Sequence, residues 1–276
     1  MERKTYNYKQ PYWVLAHQNY YKHILNSYGI EHFYGFISDG EKAPDIVVPD
    51  GCVDLSFCCD RENPVINIAG TVTEATSSVR EKGVRFFGVR FMPGYFEGWG
   101  DVCFRELQNG HHPIVNLLGK IRAFDKIITS DDFMEQVTFF LEEYFNGEFG
   151  RILYRDDNIL FKAALHAMLE VGGNLTVSEL SQKLFYSERR VNGVFKEHMG
   201  IGIKAFGNIL RFQNALEYFN YKLDGKEFCL ADIATELGYY DQAHMTKEFR
   251  KYAHETPKKY VGKILNERYR ELIQLV

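Results

Sequence analysis

No apolar run in the 276 residues approaches the roughly 18 that a membrane-spanning helix needs, which excludes a helical membrane protein. The opening Met1-Glu2-Arg3-Lys4-Thr5-Tyr6 is not followed by the apolar core of a secretion signal. A soluble, cytoplasmic protein is expected. Cysteine is sparse and odd in number: 52, 58, 59, 103 and 229, with no CxxC pair and no zinc-like spacing with histidine. This excludes a disulfide scaffold and a structural metal, and predicts reduced thiols buried in strands. Also missing are a glycine-rich phosphate cradle after a strand and any cluster of catalytic groups, so neither cofactor nor catalytic residue is assigned.

A strongly basic balance is absent as well, the net charge being −4. The charge is unevenly divided. Residues 1–150 hold fourteen lysines and arginines against twenty-one acidic residues, net −7, whereas 151–276 hold nineteen against sixteen, net +3. An acidic first half before a mildly basic second permits local phosphate contacts without a global basic field.

Residues 1–110 are rich in aromatic, β-branched and glycine residues. After the turn Pro49-Asp50-Gly51, Val53, Leu55 and Phe57 alternate with Asp54 and Ser56, predicting a half-buried strand. Residues 64–70 and 84–91 read as two more, the latter stopping at Met92-Pro93-Gly94. Several short strands between such turns suggest a small β-barrel or sandwich, and His111-His112-Pro113 reads as loop. From residue 111 to 150 a helical extension is expected. In it Phe133, Val137, Phe140, Leu141 and Tyr144 keep a helical spacing behind Asp132 and Glu135, which read as a capping box. That stripe packs on the chain's own strands or forms a dimer seam. Gly147 and Gly150 end the helix, and the domain boundary is placed at 150/151.

Beyond 158 nearly everything reads as helix, and one segment is written twice, about 53 residues apart. In each copy a short helix carries apolar residues four apart (Leu180 and Leu184; Ile233 and Leu237). A small residue (Ser181; Ala234) follows the first of these, and a tight turn leads to an N-cap (Ser187; Asp241). A second helix buries Val191, Val194 and Phe195, or Met245 and Phe249, and turns polar residues outward. This is the grammar of a helix-turn-helix, here in units at about 175–199 and 229–253. Between them Phe206, Ile209, Leu210, Leu216 and Phe219 stripe a linker helix. At roughly 25–30 Å it is able to hold two reading helices near the ~34 Å between successive major-groove faces.

These residues resemble the AraC/XylS transcription regulators over about 156–262. The resemblance rests on the cap-x3-apolar-x3-Phe of each reading helix, Gly200, Arg211-Phe212-x-x-Ala215, Asp232-Ile233-Ala234-x-x-x-Gly238-Tyr239, and Thr256-Pro257-x-x-Tyr260. Val48-Pro49-Asp50-Gly51-x-Val53-Asp54-Leu55 and Gly88-Val89-Arg90-Phe91-x-Pro93-Gly94 more loosely resemble a domain of uncharacterised role found ahead of such units. The resemblance implies an α+β chain: a β-rich sensor or oligomerisation domain over 1–150, then an all-α DNA-binding domain over 151–276. The implied partner is double-stranded DNA, with RNA polymerase, a small-molecule effector of the first domain and a second copy as further partners. The implied DNA-contacting residues are Ser187, Arg189, Arg190, Asn192 and Lys196 in the first unit and Gln242, His244, Thr246, Lys247 and Arg250 in the second. Arginine suits guanine O6/N7 and asparagine or glutamine suits adenine N6/N7, while Arg211 is assigned to holding the linker against a unit. Two positions depart from the family pattern: Gly193 stands where arginine is usual and His254 where glycine is usual. Two other readings remain open. One is a sensor or adaptor whose aromatics, among them Tyr6, Tyr8, Tyr12, Trp13, Tyr20 and Tyr34, line a pocket. The other is a repair enzyme with a methyl-accepting Cys52 or Cys103.

Overall fold

The computed structural model describes residues 9–40, 45–70, 72–78, 80–96, 107–114, 121–147, 149, 158–223 and 228–276. The expected boundary at 150/151 and Cys103, Tyr6 and Tyr8 lie outside the described residues.

A short helix, α1 (Pro11–Ala16), precedes the hairpin of β1 (Gln18–Ser27) and β2 (Ile30–Ile37). Ser27 pairs Ile30 across Tyr28 and Gly29, both at positive φ, the backbone that lets a two-residue loop follow the twist of its strands. The alternating segments become β4 (Val53–Cys58), β5 (Val65–Ala69) and β7 (Arg85–Phe91). β3 (Asp45–Val47) and β6 (Thr76–Ser78) pair separately. His111–Pro113, expected as loop, is instead strand β8, an edge strand antiparallel to β5. The other edge of the sheet is β9 (Ile273–Leu275), so the order runs β8-β5-β4-β7-β2-β1-β9.

One face of this sheet, through Val53, Leu55, Phe57, Phe33, Phe87 and Val89, packs on α2 (Arg122–Thr129) and α3 (Phe133–Asn146). The α3 stripe expected from the sequence is therefore buried at home: Phe140 rests against Phe33 and Phe91. Helices replace a second sheet as the covering layer on that face. Asp132 caps α3 by accepting from the Glu135 amide, but Glu135 turns its carboxylate to Ser130 Oγ, so the reciprocal half of the expected box is not made. Among the described residues the four cysteines form no disulfide, and only Cys58 lies in a strand; Cys52 and Cys59 flank β4, and Cys229 is exposed.

The opposite face, carrying Tyr20, Tyr34, Phe36 and Cys52, shares one continuous core with the helices of the second half. Those helices are α4 (Ile159–Glu170), α5 (Val177–Leu184), α6 (Glu188–Met199), α7 (Ile203–Glu217), α8 (Leu230–Glu236), α9 (Gln242–Ala253) and α10 (Pro257–Asn266). The chain is thus α+β, with a β-rich first half and a helical second. Two turns that the sequence marks receive the helices. Gly51 at φ +81° lies under the Phe206 ring and Gly94 at φ +74° under Phe161 and Leu165; a Cβ at either would sit 2.7 Å from those side chains. Polar ties reinforce the contact. Gln213 on α7 accepts from the Lys9 amide at 2.7 Å and donates to the Pro49 carbonyl at 2.8 Å. Finally β9, at the chain's end, returns to pair parallel with β1 of the first half.

Candidate nucleic-acid interface

The first unit is α5 and α6. Thr176 and Glu179 form a full capping box that starts α5, and α5 ends at Phe185, whose left-handed backbone (φ 58°) turns the chain. Ser187 then caps α6 by accepting from the Arg190 amide. Val191, Val194, Phe195 and Met199 are buried, which turns the opposite face outward. Ser187, Arg189, Arg190 and Lys196 are exposed there. The first three share an open depression of about 400 Å³ with Gly193 and Glu197. Gly193 has open space where a Cβ would be.

The second unit is α8 and α9, built the same way. Gly238 (φ 78°) makes the turn, Asp241 caps α9 through the His244 amide at 2.7 Å, and Met245, Phe249, Tyr252 and Ala253 are buried. Gln242, Lys247 and Arg250 are exposed and Thr246 is half-buried. Both reading helices therefore begin with a side-chain cap at an exposed N-terminus, where free amides favour an anion.

Arg211 on α7 ties the linker to both units. It donates to the Gly173 carbonyl ahead of α5 at 3.4 Å and to Asn208 at 2.6 Å, lies 3.9 Å from Glu248 of α9, and sits 5.6 Å from the centre of the Tyr239 ring. Among the described residues, the first half touches α4, α7 and α10, and Ser187, Arg189, Arg190 and Lys196 of the first unit and Gln242, Lys247 and Arg250 of the second stay exposed. Its ties are Lys9 to Gln213 and Glu217, Tyr12 to Glu255, and the turns under Phe161 and Phe206.

Two of the expected contacts are half-buried and have partners within the fold. Asn192 is half-buried and its Oδ1 accepts from the Ile203 amide at 3.1 Å, capping α7 from a distance. His244 is held inside its own unit, with Nδ1 near the Tyr240 amide and Nε2 3.5 Å from Glu248. The sequence reading overlooked a further group: Phe185, 94% exposed, Tyr186, and Tyr240, 91% exposed, sit in the turns just before the two reading helices. The signal was their position, since aromatic residues in a tight turn have no core to enter. Cys52, considered as a methyl acceptor, is buried, and burial pushes its thiol well above the usual range, the reverse of what a nucleophile requires.

The matching segments fall on these two structural halves. Residues 180–263 match the helix-turn-helix domain family and residues 24–113 match a domain of unknown function, DUF6597. An uncharacterized HTH-type transcriptional regulator of Staphylococcus aureus strain MSSA476 is 32% identical over 89 residues, which are 32% of this chain and 11% of that protein. The relative in strain MRSA252 gives the same figures, so the match spans about a ninth of these proteins. Among solved structures, the DNA-binding domain of AdpA, a global transcriptional factor in complex with a target DNA, is 16% identical. It covers 39% of this chain and 95% of its own, with a TM-score of 0.36. ToxT from Vibrio cholerae is 11% identical, covering 83% and 96%, with a TM-score of 0.44.

Proposed function

We propose that this chain, in which an AraC-type helix-turn-helix domain follows a β-rich domain of unknown function, is a sequence-specific DNA-binding transcription regulator that reads two successive major-groove segments. One observation carries the reading. Two units of the same build, joined by one helix that Arg211 fixes to both, present capped reading helices that the described residues of the first half leave uncovered. The S. aureus relatives' name as transcriptional regulators supports it.

On this reading Arg189 and Arg190 grip guanine O6/N7 and Gln242 reads adenine, each good bidentate pair contributing about 1–3 kcal/mol of discrimination. Ser187, Lys196, Lys247 and Arg250 hold phosphates and set register, and Thr246 lies behind them at the rim. The first half has a net charge of −7, so the phosphate grip is assigned to these cations of the second. RNA polymerase is the downstream partner of such a regulator.

Selection of bound fragments from random duplex DNA by the full chain tests this. A two-part site with centres about one helical turn apart is expected, with affinity falling steeply as salt rises. Recovery of no enriched sequence would falsify the reading.

A further inference from the structure

Each helix-turn-helix unit carries, in the turn before its reading helix, one large ring with more than nine-tenths of its surface exposed: Phe185 in the first and Tyr240 in the second. The two arise differently. Phe185 occupies the left-handed position that Gly238 holds in the second unit, whereas Tyr240 is an added residue between Tyr239 and the cap Asp241. Tyr239, which corresponds to Tyr186, is buried beside Arg211, so the second unit exposes its ring only through that addition. The backbone beneath both rings is fixed. The Phe185 and Tyr186 amides donate to the Gln182 and Ser181 carbonyls at 3.3 and 3.1 Å, and the Tyr240 amide lies 3.4 Å from Nδ1 of His244 in the first turn of α9. Among the described residues no ring or cation stacks on Phe185 or Tyr240. A ring on a rigid turn loses little freedom when a partner covers it, because only two side-chain torsions are fixed.

We propose, resting on the DNA-binding function, that Phe185 and Tyr240 pack against deoxyribose carbons of duplex DNA at the two rims of the bound site. In a helix-turn-helix the first helix crosses the backbone while the reading helix lies in the groove, so the turn between them passes over the rim. Bases within the duplex present only their edges in the groove, and phosphates are met by cations and hydroxyls. The sugar carbons are the apolar surface that remains for a ring. Both turns also adjoin residues assigned to the interface, Ser187 and Arg189 in one unit and Gln242 in the other. A ring that hides about 50 Å² of apolar surface contributes about eightfold to the binding constant.

Fluorescence anisotropy of the full chain, with the duplex recovered by selection and with an unrelated one at low and high salt, tests the proposal. Tyr240→Ala and Phe185→Asn should each weaken both duplexes by about eightfold and leave the salt slope unchanged, since neither removes a phosphate contact. Asparagine tolerates the left-handed backbone, and circular dichroism melts verify that both variants fold. Tyr240→Phe should keep full affinity, because the ring and not the hydroxyl makes the contact. Affinity within about twofold of the parent in either folded variant overturns the proposal. So does a shallower salt slope, a Tyr240→Phe as weak as Tyr240→Ala, or a loss confined to the selected sequence, which would assign the side chains to phosphate or base. Loss of self-association in sedimentation, with duplex affinity unaltered, would give the rings to a second copy and overturn it as well. A parent chain that binds no duplex overturns the DNA reading and this proposal with it, whereas a binding parent beside unaffected variants overturns this proposal alone.

Discussion

The Arg90 guanidinium grips Asp54 with both edges, Nε to Oδ1 at 3.0 Å and Nη2 to Oδ2 at 2.7 Å, while its Nη1 reaches Asp50 at 2.7 Å. All three residues are buried. The two marked turns of the first half are joined by this contact: Asp50 stands in the turn before β4 and Arg90 near the end of β7. Asp50 also accepts from Gln10 and from the Cys52 amide, which fixes the turn on which Phe206 rests. Arg90→Met leaves two carboxylates buried without their partner. A loss of about 3–5 kcal/mol is expected in urea unfolding. A loss under about 1 kcal/mol would mean that water reaches the pair and that burial is not its defining feature.

How far the sequence revealed this fold depends on what lies on each side of an element. β4 alternates because Val53, Leu55 and Phe57 meet helices while Asp54 and Ser56 face the other way, so its strand was legible. β2 was not, because residues 30–36 are buried on both faces and show no alternation. The repeated units were legible since their caps, turns and apolar spacings are local. The bond that Asn192 accepts was not legible for the opposite reason: its partner, the Ile203 amide, is eleven residues away and belongs to the next helix. The C-terminal strand carried no local sign either, because its pairing partner is at the other end of the chain.

His32 on β2 is wholly buried beside Glu31, and burial pushes its imidazole down to about 3. The folded state therefore holds it neutral, while the unfolded chain takes up a proton near 6.5. The contribution is fully present above pH 6.5 and lost as pH falls from there toward 3. Urea midpoints should decline over that window, and His32→Gln should flatten the decline. An unchanged acid limb in the variant assigns the acid sensitivity elsewhere.

The inward turn of Asn192 separates two effects that one exposed polar face would merge. Asn192→Ala removes a cap from α7 and should cost about 1 kcal/mol of stability. Arg189→Ala and Arg190→Ala remove exposed side chains and should leave unfolding within about 0.5 kcal/mol while weakening the selected duplex by about 1–3 kcal/mol per lost base contact. Lys247→Ala should weaken all sequences alike and reduce the salt slope by about one. Chemical denaturation beside fluorescence anisotropy distinguishes them, and stable arginine variants with full affinity would remove these residues from the interface.

The two units share their left-handed positions as well as their helices. Phe185 (φ 58°) corresponds to Gly238 (φ 78°) at the turn, and His254 (φ 56°) corresponds to Gly200 (φ 69°) after the reading helix. At each place one copy has glycine and the other carries a side chain against its backbone preference, which costs roughly 1–2 kcal/mol. Part of that returns as disorder of a glycine in the unfolded chain, so Phe185→Gly and His254→Gly should each stabilise by about 0.5–1 kcal/mol. Gly193→Ala, with nothing in the way of the new methyl, should add up to about 1 kcal/mol. Phe185 gains no core contact for its strain, being 94% exposed at the mouth of the first reading helix. If the ring meets the DNA backbone, Phe185→Gly weakens duplex binding while it raises the urea midpoint, whereas His254→Gly raises the midpoint and leaves binding alone. Equal binding in both variants would assign Phe185 no part in the interface and leave its strain without a functional counterpart.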